Sequence, residues 1–367
     1  MADRYGGKWL LGGSVLVSSV ISLLMPAAAR IHLAAFLLLR VVSGFGAGVL
    51  FPALQALLAR WSAPASRSVV VSVIHLGTDA GVIVAMMSSG VLSDHGFAGG
   101  WPSVFYVFGA AGCLFAGAWF LLVHDSPSIH PRISADEREY WARVTGTADA
   151  AEPRPPISWR TILASGPVWA LAVASFANAW GFNTLAACIP LFMHDVLGFH
   201  ATANGVVSAV PFLAAAAFMI PAGWLADWLR APGRLSTTVV RKLFLTTGFL
   251  LAACLLVLTG YAGCSRVLTV ALLFLAVAST CLSYIVVVVN QLDLEPLHAG
   301  KIMGLTFCFA SVAKVAAPHV VGAMTYHSST RAEWQNIFFL AAGIYTLGAV
   351  VFVVFGSGRR QNWHSYS

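Results

Sequence analysis

Charged residues are scarce in this chain of 367 residues. Asp, Glu, Lys and Arg make up 10% of it, whereas 59% of the residues are apolar or aromatic. In soluble domains about 25% of the residues are charged. The core of one water-soluble domain cannot bury so many apolar side chains. Disorder is excluded too, because disordered chains combine low hydrophobicity with high net charge. The composition therefore predicts a polytopic, all-α membrane protein.

Cysteines and enzyme motifs are also few or missing. Six cysteines in this length do not build a disulfide scaffold. The sequence contains no H-E-x-x-H, nucleophile elbow or Walker loop, and its Cys and His residues lack the spacing of metal ligands. Gly44, Gly46 and Gly48 fail the dinucleotide spacing and lie in an apolar run, which favours close helix packing. We predict neither an enzyme nor a resident metal or cofactor.

Long apolar runs are what the chain does have. A helix needs about 20 apolar residues to cross the hydrocarbon of a bilayer, and ten runs are of this kind. The predicted spans are Trp9–Ala28, Ala34–Ala59, Val69–Val91, Ser103–Val123, Val168–Met193, Gly205–Ala226, Leu243–Tyr261, Val267–Val289, Ile302–Thr325 and Ile337–Phe355. No cleavable signal peptide is predicted, because the charged start of the chain leads directly into a full-length span.

Lys and Arg are unevenly distributed between the predicted loops. If the chain starts in the cytoplasm, sixteen of them lie in inside segments and only Arg30, Arg266 and Arg331 lie outside. Cytoplasmic loops carry an excess of Lys and Arg, so both termini are predicted to be cytoplasmic. The net charge of +7 then reflects topology rather than a nucleic-acid partner.

One long polar stretch divides the spans into four and six. We predict an N-terminal lobe at residues 1–124, a cytoplasmic linker at 125–166 and a C-terminal lobe at 167–367. Within the linker, Ser134 and Glu137 have the spacing of a capping box, which predicts a short surface helix.

Features recur on the two sides of the linker. Ala2-Asp3 with following basic residues returns as Ala226-Asp227, and Trp101 returns as Trp334 at the start of the last span of its lobe. Repeats of parallel topology indicate a two-lobe transporter with a substrate site near the bilayer midplane. The second lobe has two complete spans before Asp227, so we expect this chain to lack two helices of a twelve-helix pattern. An incomplete gene model or a non-transporting product is the alternative reading.

A set of short segments, in a fixed order, then gives the chain a family resemblance. They are Met1-Ala2-Asp3-Arg4-Tyr5-Gly6-Gly7-Lys8; Arg40 with Gly44, Gly48 and Phe51-Pro52; Gly100-Trp101-Pro102 with Phe105-Tyr106 and Gly109; Ile133-Ser134 with Glu137 and Tyr140; Val240-Arg241-Lys242; Asn290 to Asp293 with Pro296 and Ala299-Gly300; and Glu333-Trp334-Gln335 with Gln361-Asn362-Trp363. Together they resemble the anion:cation symporter family of the major facilitator superfamily, which includes sialin, type I sodium-phosphate cotransporters and vesicular glutamate transporters.

The resemblance implies a secondary transporter of a small organic anion or phosphate. It implies coupling to a proton or sodium gradient or to membrane potential, and a place in the plasma membrane or a lysosomal or vesicular membrane. Arg40 matches the substrate-associated arginine of the family. A permanently charged residue inside a span is costly, and its planar donors suit carboxylate or phosphate, although a structural arginine is the alternative.

Other span residues extend the predicted site. Where relatives carry an acid seven positions after the arginine, this chain has Ala47. Asn178 stands where the glutamate-transporting branch carries a second arginine, so glutamate is not the predicted substrate. Asn183 stands where sialin-like relatives have tyrosine, and it is predicted either to contact substrate or to bond between helices.

Asp79 and Lys314 lie outside the family pattern and occupy corresponding helices of the two lobes. Opposite charges at membrane depth pair or line a water-filled path, so we predict an interlobe pair or a coupling role for Asp79. His75 and His319 are further candidates for such a path, because histidine is the side-chain type that changes charge near neutral pH, with simple packing as the alternative.

A gate at the cytoplasmic side is the last sequence-based prediction. Charges at helix ends form pairs in one state and release them in another, with topology anchoring as the alternative role. The predicted gate residues are Asp3, Arg4, Gly7, Lys8, Asp227, Arg241 and Lys242.

Overall fold

The computed structural model describes residues 6–145, 158–195, 213, 217–232, 234–262, 265–326, 330–361 and 363. These residues form long α-helices joined by short turns, which confirms the all-α prediction. Among the described residues, eight helices are long and apolar enough to cross a membrane. The chain divides into two compact units, which are described separately.

The first unit comprises Met1–Pro64, Gly77–Pro155 and Glu295–Gly304. Its helices are α1 (Gly7–Ile31), α2 (Leu33–Trp61), most of α3 (Arg67–His95), α4 (Trp101–Leu122) and α5 (Ala135–Thr145). Helix α1 packs against both α2 and α4. A small apolar core forms there around Leu11, Ala53 and Leu57.

The second unit comprises Ala65–Leu76, Pro156–Leu294 and Leu305–Ser367. It contains the start of α3 and most of α11, together with α6 (Trp159–Leu163), α7 (Gly166–Asp195), α8 (217–229), α9 (Thr237–Tyr261), α10 (Arg266–Leu294) and α12 (Arg331–Phe355). Helix α11 itself covers Ala299–Thr325. Helices α9, α10, α12 and α7 pack on one another. Large aromatic side chains, including Phe249, Trp334 and Tyr345, fill their contact.

Eight of the ten predicted spans coincide with the eight membrane-length helices. A ninth, predicted at Val168–Met193, lies within the 30-residue helix α7. The predicted span Gly205–Ala226 lies largely outside the described residues, which show only its last part in α8. The count of ten spans therefore stays a prediction.

The predicted helix of the linker is confirmed. Helix α5 begins at Ala135, and the backbone N–H of Glu137 donates to Oγ of Ser134 at 3.2 Å. This side-chain bond satisfies one of the donors that a helix start leaves open. The lobe and linker boundaries at 124 and 166 stay a prediction.

Candidate functional site

Arg40 lies within a membrane-length helix of the first unit. Helix α2 begins at Leu33, so Arg40 is its eighth residue and lies about 10 Å along the helix axis. Its side chain is exposed. The guanidinium is therefore placed at membrane depth but remains accessible.

Two aromatic rings hold the guanidinium of Arg40. Its Cζ lies 5.2 Å from the ring centre of Phe36, one turn earlier on α2, and 5.7 Å from that of Phe105 on α4. No carboxylate among the described residues pairs with Arg40, and none of its five N–H donors has an acceptor there. The rings stabilise the cation through their π faces and leave the donors open to an anionic ligand.

The two asparagines of α7 make different contacts. Oδ1 of Asn178 accepts a hydrogen bond from Oγ of Ser283 on α10 at 3.3 Å, which joins two helices of the second unit. Nδ2 of Asn183 donates to the carbonyl of Ala179 on its own helix at 2.8 Å. The bond between helices that we considered for Asn183 is therefore made by Asn178. Contact of either residue with substrate stays a prediction.

The histidine and acid of α3 lie one turn apart. The ring centres of His75 and Tyr284 of α10 are 3.9 Å apart, within the second unit. Asp79 is half-buried in the first unit. The ring contact supports the packing role that we considered for His75, and a coupling role of either residue stays a prediction.

Lys314 and His319 occupy the exposed part of α11. The ammonium of Lys314 lies 4.7 Å from the ring centre of Phe307, and Nδ1 of His319 lies 2.7 Å from the carbonyl oxygen of Val315. Lys314 pairs with no carboxylate in the part of the chain that the structure describes. The predicted pair with Asp79 stays a prediction.

A buried cluster of charges lies at helix ends in the second unit. Asp293, in the last turn of α10, accepts a 2.7 Å hydrogen bond from Nε of Arg241, at the start of α9. The same carboxylate lies 3.7 Å from Nη2 of Arg230 and 3.9 Å from Nη1 of Arg67. Asp293 thus binds three arginines from three different segments.

Asp227 completes this charged cluster by capping a helix. Its carboxylate accepts the backbone N–H groups of Ser68 at 3.3 Å and Val69 at 2.9 Å, in the first turn of α3. Arg230 lies 3.5 Å from the same carboxylate. An anion at a helix start satisfies open donors and complements the helix dipole, so Asp227 anchors α3 to the end of α8.

The charged cluster, consisting of Arg67, Asp227, Arg230, Arg241 and Asp293, carries three cations and two anions. Burial lowers the pKa of the Arg230 guanidinium, the charge of Arg241 acts in the same direction, and Asp293 and Asp227 oppose both effects. Within the described part of the chain, Nε of Arg67 and Nη2 of Arg241 are buried without a hydrogen-bond partner. The cluster therefore depends closely on its two carboxylates.

The gate predicted for the first lobe is only partly visible. Asp3 and Arg4 lie outside the described residues. The backbone N–H of Lys8 donates to Oδ1 of Asp125 at 2.8 Å, and a Cβ on Gly7 would lie 2.7 Å from the carbonyl oxygen of Ala53. These contacts cap α1 and bring it close to α2.

Three of the gate predictions concern the second lobe. Asp227 and Arg241 lie together in the charged cluster. Lys242 points elsewhere, and its Nζ donates to the carbonyl of Val353 on α12 at 2.7 Å. Their action as a gate stays a prediction.

Sequence reasoning did not assign Arg67, Arg230 or Asp293 to the gate. Asp293 belongs to a segment that carries the family resemblance, and this membership could have identified it as a candidate. Arg67 was counted only among the loop charges that set the orientation, and Arg230 was counted both there and among the basic residues that follow Asp227 in the repeat.

Known proteins resemble this chain over nearly its whole length. The sequence profile of the Major Facilitator Superfamily matches residues 1–318. Human sialin is 35% identical over 367 residues, which cover 99% of this chain and 72% of sialin. A putative inorganic phosphate cotransporter of Drosophila melanogaster is 36% identical over 366 residues, which cover 99% of this chain and 69% of that protein.

A solved structure shares the fold. The proton:xylose symporter XylE, bound to 6-bromo-6-deoxy-D-glucose, aligns with a TM-score of 0.74 at 14% identity, over 98% of this chain and 82% of that one. The family profile and the relatives show that the chain is a multi-pass membrane protein of the transporter class. The chain belongs to the anion:cation symporter family of the major facilitator superfamily.

Proposed function

We propose that the protein is a secondary active transporter of a small organic anion or inorganic phosphate. It works by alternating access and is coupled to a proton or sodium gradient or to membrane potential. Both termini face the cytoplasm, and the protein resides in the plasma membrane or in a lysosomal or vesicular membrane. The relatives named sialin and inorganic phosphate cotransporter support this class.

Arg40 is the observation that carries this proposal. A cation inside a span is costly unless a partner or a ligand uses its charge. Two aromatic faces lie beside the guanidinium of Arg40, and among the described residues no group accepts a hydrogen bond from it, so its planar fork of donors remains open. Carboxylate and phosphate are the groups that such a fork binds through two parallel hydrogen bonds. We assign Arg40 to the anionic group of the substrate, with Asn178 and Asn183 as further candidate contacts.

Coupling is assigned to the acid of α3. Ala47 leaves α2 without a carboxylate at the position where relatives carry one, and Asp79 supplies a carboxylate within a span. Uptake driven by a proton gradient would use protonation of Asp79. Asp79→Asn is expected to abolish gradient-driven uptake while exchange continues, and unchanged gradient-driven uptake would remove Asp79 from the coupling step.

The charged cluster is assigned to the conformational cycle. Its ion pairs hold the first turn of α3 against the ends of α8, α9 and α10. Pairs of this kind form in one state and separate in another. We propose that they close the cytoplasmic side of the protein in one state of the cycle.

Transport in proteoliposomes tests the role of Arg40. We expect Arg40→Ala to abolish anion uptake while the amount of folded protein is unchanged, and Arg40→Lys to restore little, because an ammonium does not reproduce the planar fork. Arg30→Ala is the matched control, since Arg30 is an exposed arginine that donates to the carbonyl of Ala98. The control variant should transport like the wild type.

Two results would contradict the proposal. Normal uptake in both Arg40 variants would assign this arginine to structure. If the wild-type chain moves no anion in either direction, although it is folded and reconstituted, the alternative of a non-transporting product gains support.

A further inference from the structure

Three long helices of the second unit have ends that lie together, where α7 and α9 begin and α12 ends. The backbone N–H of Gly358, just after α12, donates to Oγ1 of Thr238 in the first turn of α9 at 3.0 Å. A Cβ on Gly166, the first residue of α7, would lie 3.9 Å from the ring of Phe355, the last residue of α12. Residues near these helix ends therefore share one end of the unit.

This end of the second unit carries more positive than negative charge. The sequence of the unit contains four acids. Asp227 and Asp293 lie in the charged cluster, which already holds three arginines. Asp195 and Glu333 lie at the opposite ends of α7 and α12. Five further basic residues belong to the charged end, namely Arg160, Arg234, Lys242, Arg359 and Arg360. Such an excess of positive charge attracts anions.

Lys242, the sixth residue of α9, contacts the end of α12. Its Nζ donates to the carbonyl of Val353 at 2.7 Å. Carbonyls in the last turn of a helix lack partners within it, and a cation there also complements the helix dipole. This contact uses one of the three N–H donors of the ammonium, and no described group accepts the other two. Lys242 can therefore cap α12 and bind an anion at the same time.

Arg359 lies close to Lys242 along α9. The residue before it, Gly358, is bonded to Thr238, which precedes Lys242 by one helical turn on the same face. The side chain of Arg359 is exposed, and no acceptor for its guanidinium lies in the described part of the chain. Two cations with open donors thus occupy neighbouring places at the surface of α9 and α12.

Exposed apolar side chains lie beside these two cations. They are Val239 and Leu243 on α9 and Val353 and Val354 on α12. Leu243 directly follows Lys242, and Val353 carries the carbonyl that Lys242 binds. Exposed apolar surface of this kind contacts the acyl chains of lipids when its helix lies in a membrane. The cations therefore mark the place where an apolar helix surface meets a charged one, as acyl chains meet the headgroup in a phospholipid.

Tryptophans place the same end of the unit at the level of lipid headgroups. Trp224 and Trp228 on α8 are exposed, and their rings stack with centres 6.2 Å apart. The guanidinium of Arg234 lies 3.7 Å from the ring centre of Trp228. Tryptophan is enriched where a membrane meets water. A lipid headgroup, rather than a soluble anion, is therefore the anion expected here.

We propose that Lys242 and Arg359 form a binding site for the headgroup of an anionic phospholipid. The lipid phosphate accepts hydrogen bonds from both cations, and the acyl chains follow the apolar surface of α9 and α12. The further negative charge of the headgroup is balanced by the excess of positive charge at this end. A zwitterionic headgroup brings an ammonium group to the same place and binds less well. The site is independent of the transported substrate.

Native mass spectrometry of the delipidated full chain in detergent tests this site. Phosphatidylserine is compared with phosphatidylcholine, which has the same phosphate and chains but no net charge, and with glycerophosphoserine, the headgroup without chains. We expect phosphatidylserine to bind at least about tenfold more tightly than phosphatidylcholine, because each Lys or Arg strengthens binding to anionic lipid about fivefold. Glycerophosphoserine should not displace it. Equal affinity for the two lipids, or displacement by the headgroup alone, would overturn the proposal.

Variants assign the lipid preference to the two cations. Lys242→Gln and Arg359→Gln should each weaken phosphatidylserine binding about fivefold and change phosphatidylcholine binding less than about twofold. Lys242→Arg keeps the charge and should keep most of the preference. Arg331→Gln is the matched control, since Arg331 is exposed at the opposite end of α12 and should not affect the site. Unchanged phosphatidylserine binding in the folded double variant of Lys242 and Arg359 would contradict the assignment.

Thermal unfolding separates lipid binding from the capping of α12. A ligand that binds the folded state raises the unfolding midpoint. We therefore expect added phosphatidylserine to raise the midpoint of the wild type and of Arg331→Gln, and to raise that of the double variant much less. If Lys242 only caps α12, Lys242→Gln lowers the midpoint without lipid, and phosphatidylserine stabilises the double variant as much as the wild type. That second result would overturn the proposal.

Discussion

Asp293 is the carboxylate on which three arginines converge. It lies 2.7 Å from Arg241, 3.7 Å from Arg230 and 3.9 Å from Arg67, and its side chain is only 3% exposed. Removing one partner from a buried ion pair is strongly destabilising, because the remaining charge stays out of water without compensation. The stability of this end of the second unit therefore depends strongly on the carboxylate of Asp293.

Replacement of Asp293 by Asn tests this dependence. The variant leaves three buried guanidinium groups with Asp227 alone, and we expect a loss of about 3–5 kcal/mol. Arg230→Gln should cost less, because it removes the single positive charge by which the cluster's cations exceed its anions. The measurement is the thermal unfolding midpoint in detergent, and Asp293→Asn should unfold at the lowest temperature.

The exposed pair of Glu139 and Arg143 on α5 is the matched control for Asp293. Its atoms are 3.2 Å apart but the side chains are 70% and 74% exposed. Surface pairs contribute little, so Glu139→Gln should leave the midpoint unchanged. Equal midpoints for Asp293→Asn and Glu139→Gln would show that the buried pairs do not stabilise the protein.

At the residue scale, the sequence predicted some of this chemistry and missed the rest. Arg40 and Lys314 stand out because a charge within an apolar run is rare and costly on its own. Arg67 and Asp293 lie at span boundaries, where charges are common. Their association also depends on segments far apart in sequence, since Arg67 donates to the carbonyl of Leu292 across 225 positions. No local pattern encodes such a contact.

Glycine at the start of α1 determines how closely two helices of the first unit approach. A Cβ on Gly7 would lie 2.5 Å from Cγ of Leu57 and 2.7 Å from the carbonyl oxygen of Ala53, both on α2. The backbone oxygen cannot rotate away as a side chain can. The Gly7 of the predicted gate motif thus has a packing role.

Gly7→Ala should therefore separate α1 from α2. We expect a lower unfolding midpoint and reduced uptake, because overpacking of this kind costs about 1–3 kcal/mol. Gly13→Ala is the control on the same helix, since a Cβ there meets no described atom within 4 Å. The control should be neutral or slightly stabilising, as Ala is the better helix former. An equal response of the two variants would contradict the packing role.

At the element scale, hydropathy located the helices better than it located their ends. The seventh span was predicted to begin at Leu243, but α9 begins at Thr237, where Oγ of Ser236 accepts the N–H of Val239. Polar residues of the first turns do not interrupt a helix that is capped in this way. The linker helix was placed correctly because its prediction used the capping residue itself.

The two units of the whole molecule do not follow sequence order. Residues Ala65–Leu76 belong to the second unit although they precede most of the first, and Glu295–Gly304 belong to the first unit. The contacts of Asp227 and Asp293 with the start of α3 give the physical reason, because they attach this part of the helix to the second unit. The lobes predicted from the repeat in the sequence stay a prediction.

The orientation of the whole chain is tested by labelling. Sixteen Lys and Arg in the inside segments against three outside predict a cytoplasmic linker. In a background without native cysteines, Ala135→Cys places a thiol at the exposed start of α5 and leaves the cap of Ser134 in place. A membrane-impermeant maleimide should label it only after the cells are permeabilised. Ala98→Cys, in the exposed loop between α3 and α4, should be labelled on intact cells. The opposite pattern would reverse the orientation and place the charged cluster, with Asp293, on the outer side.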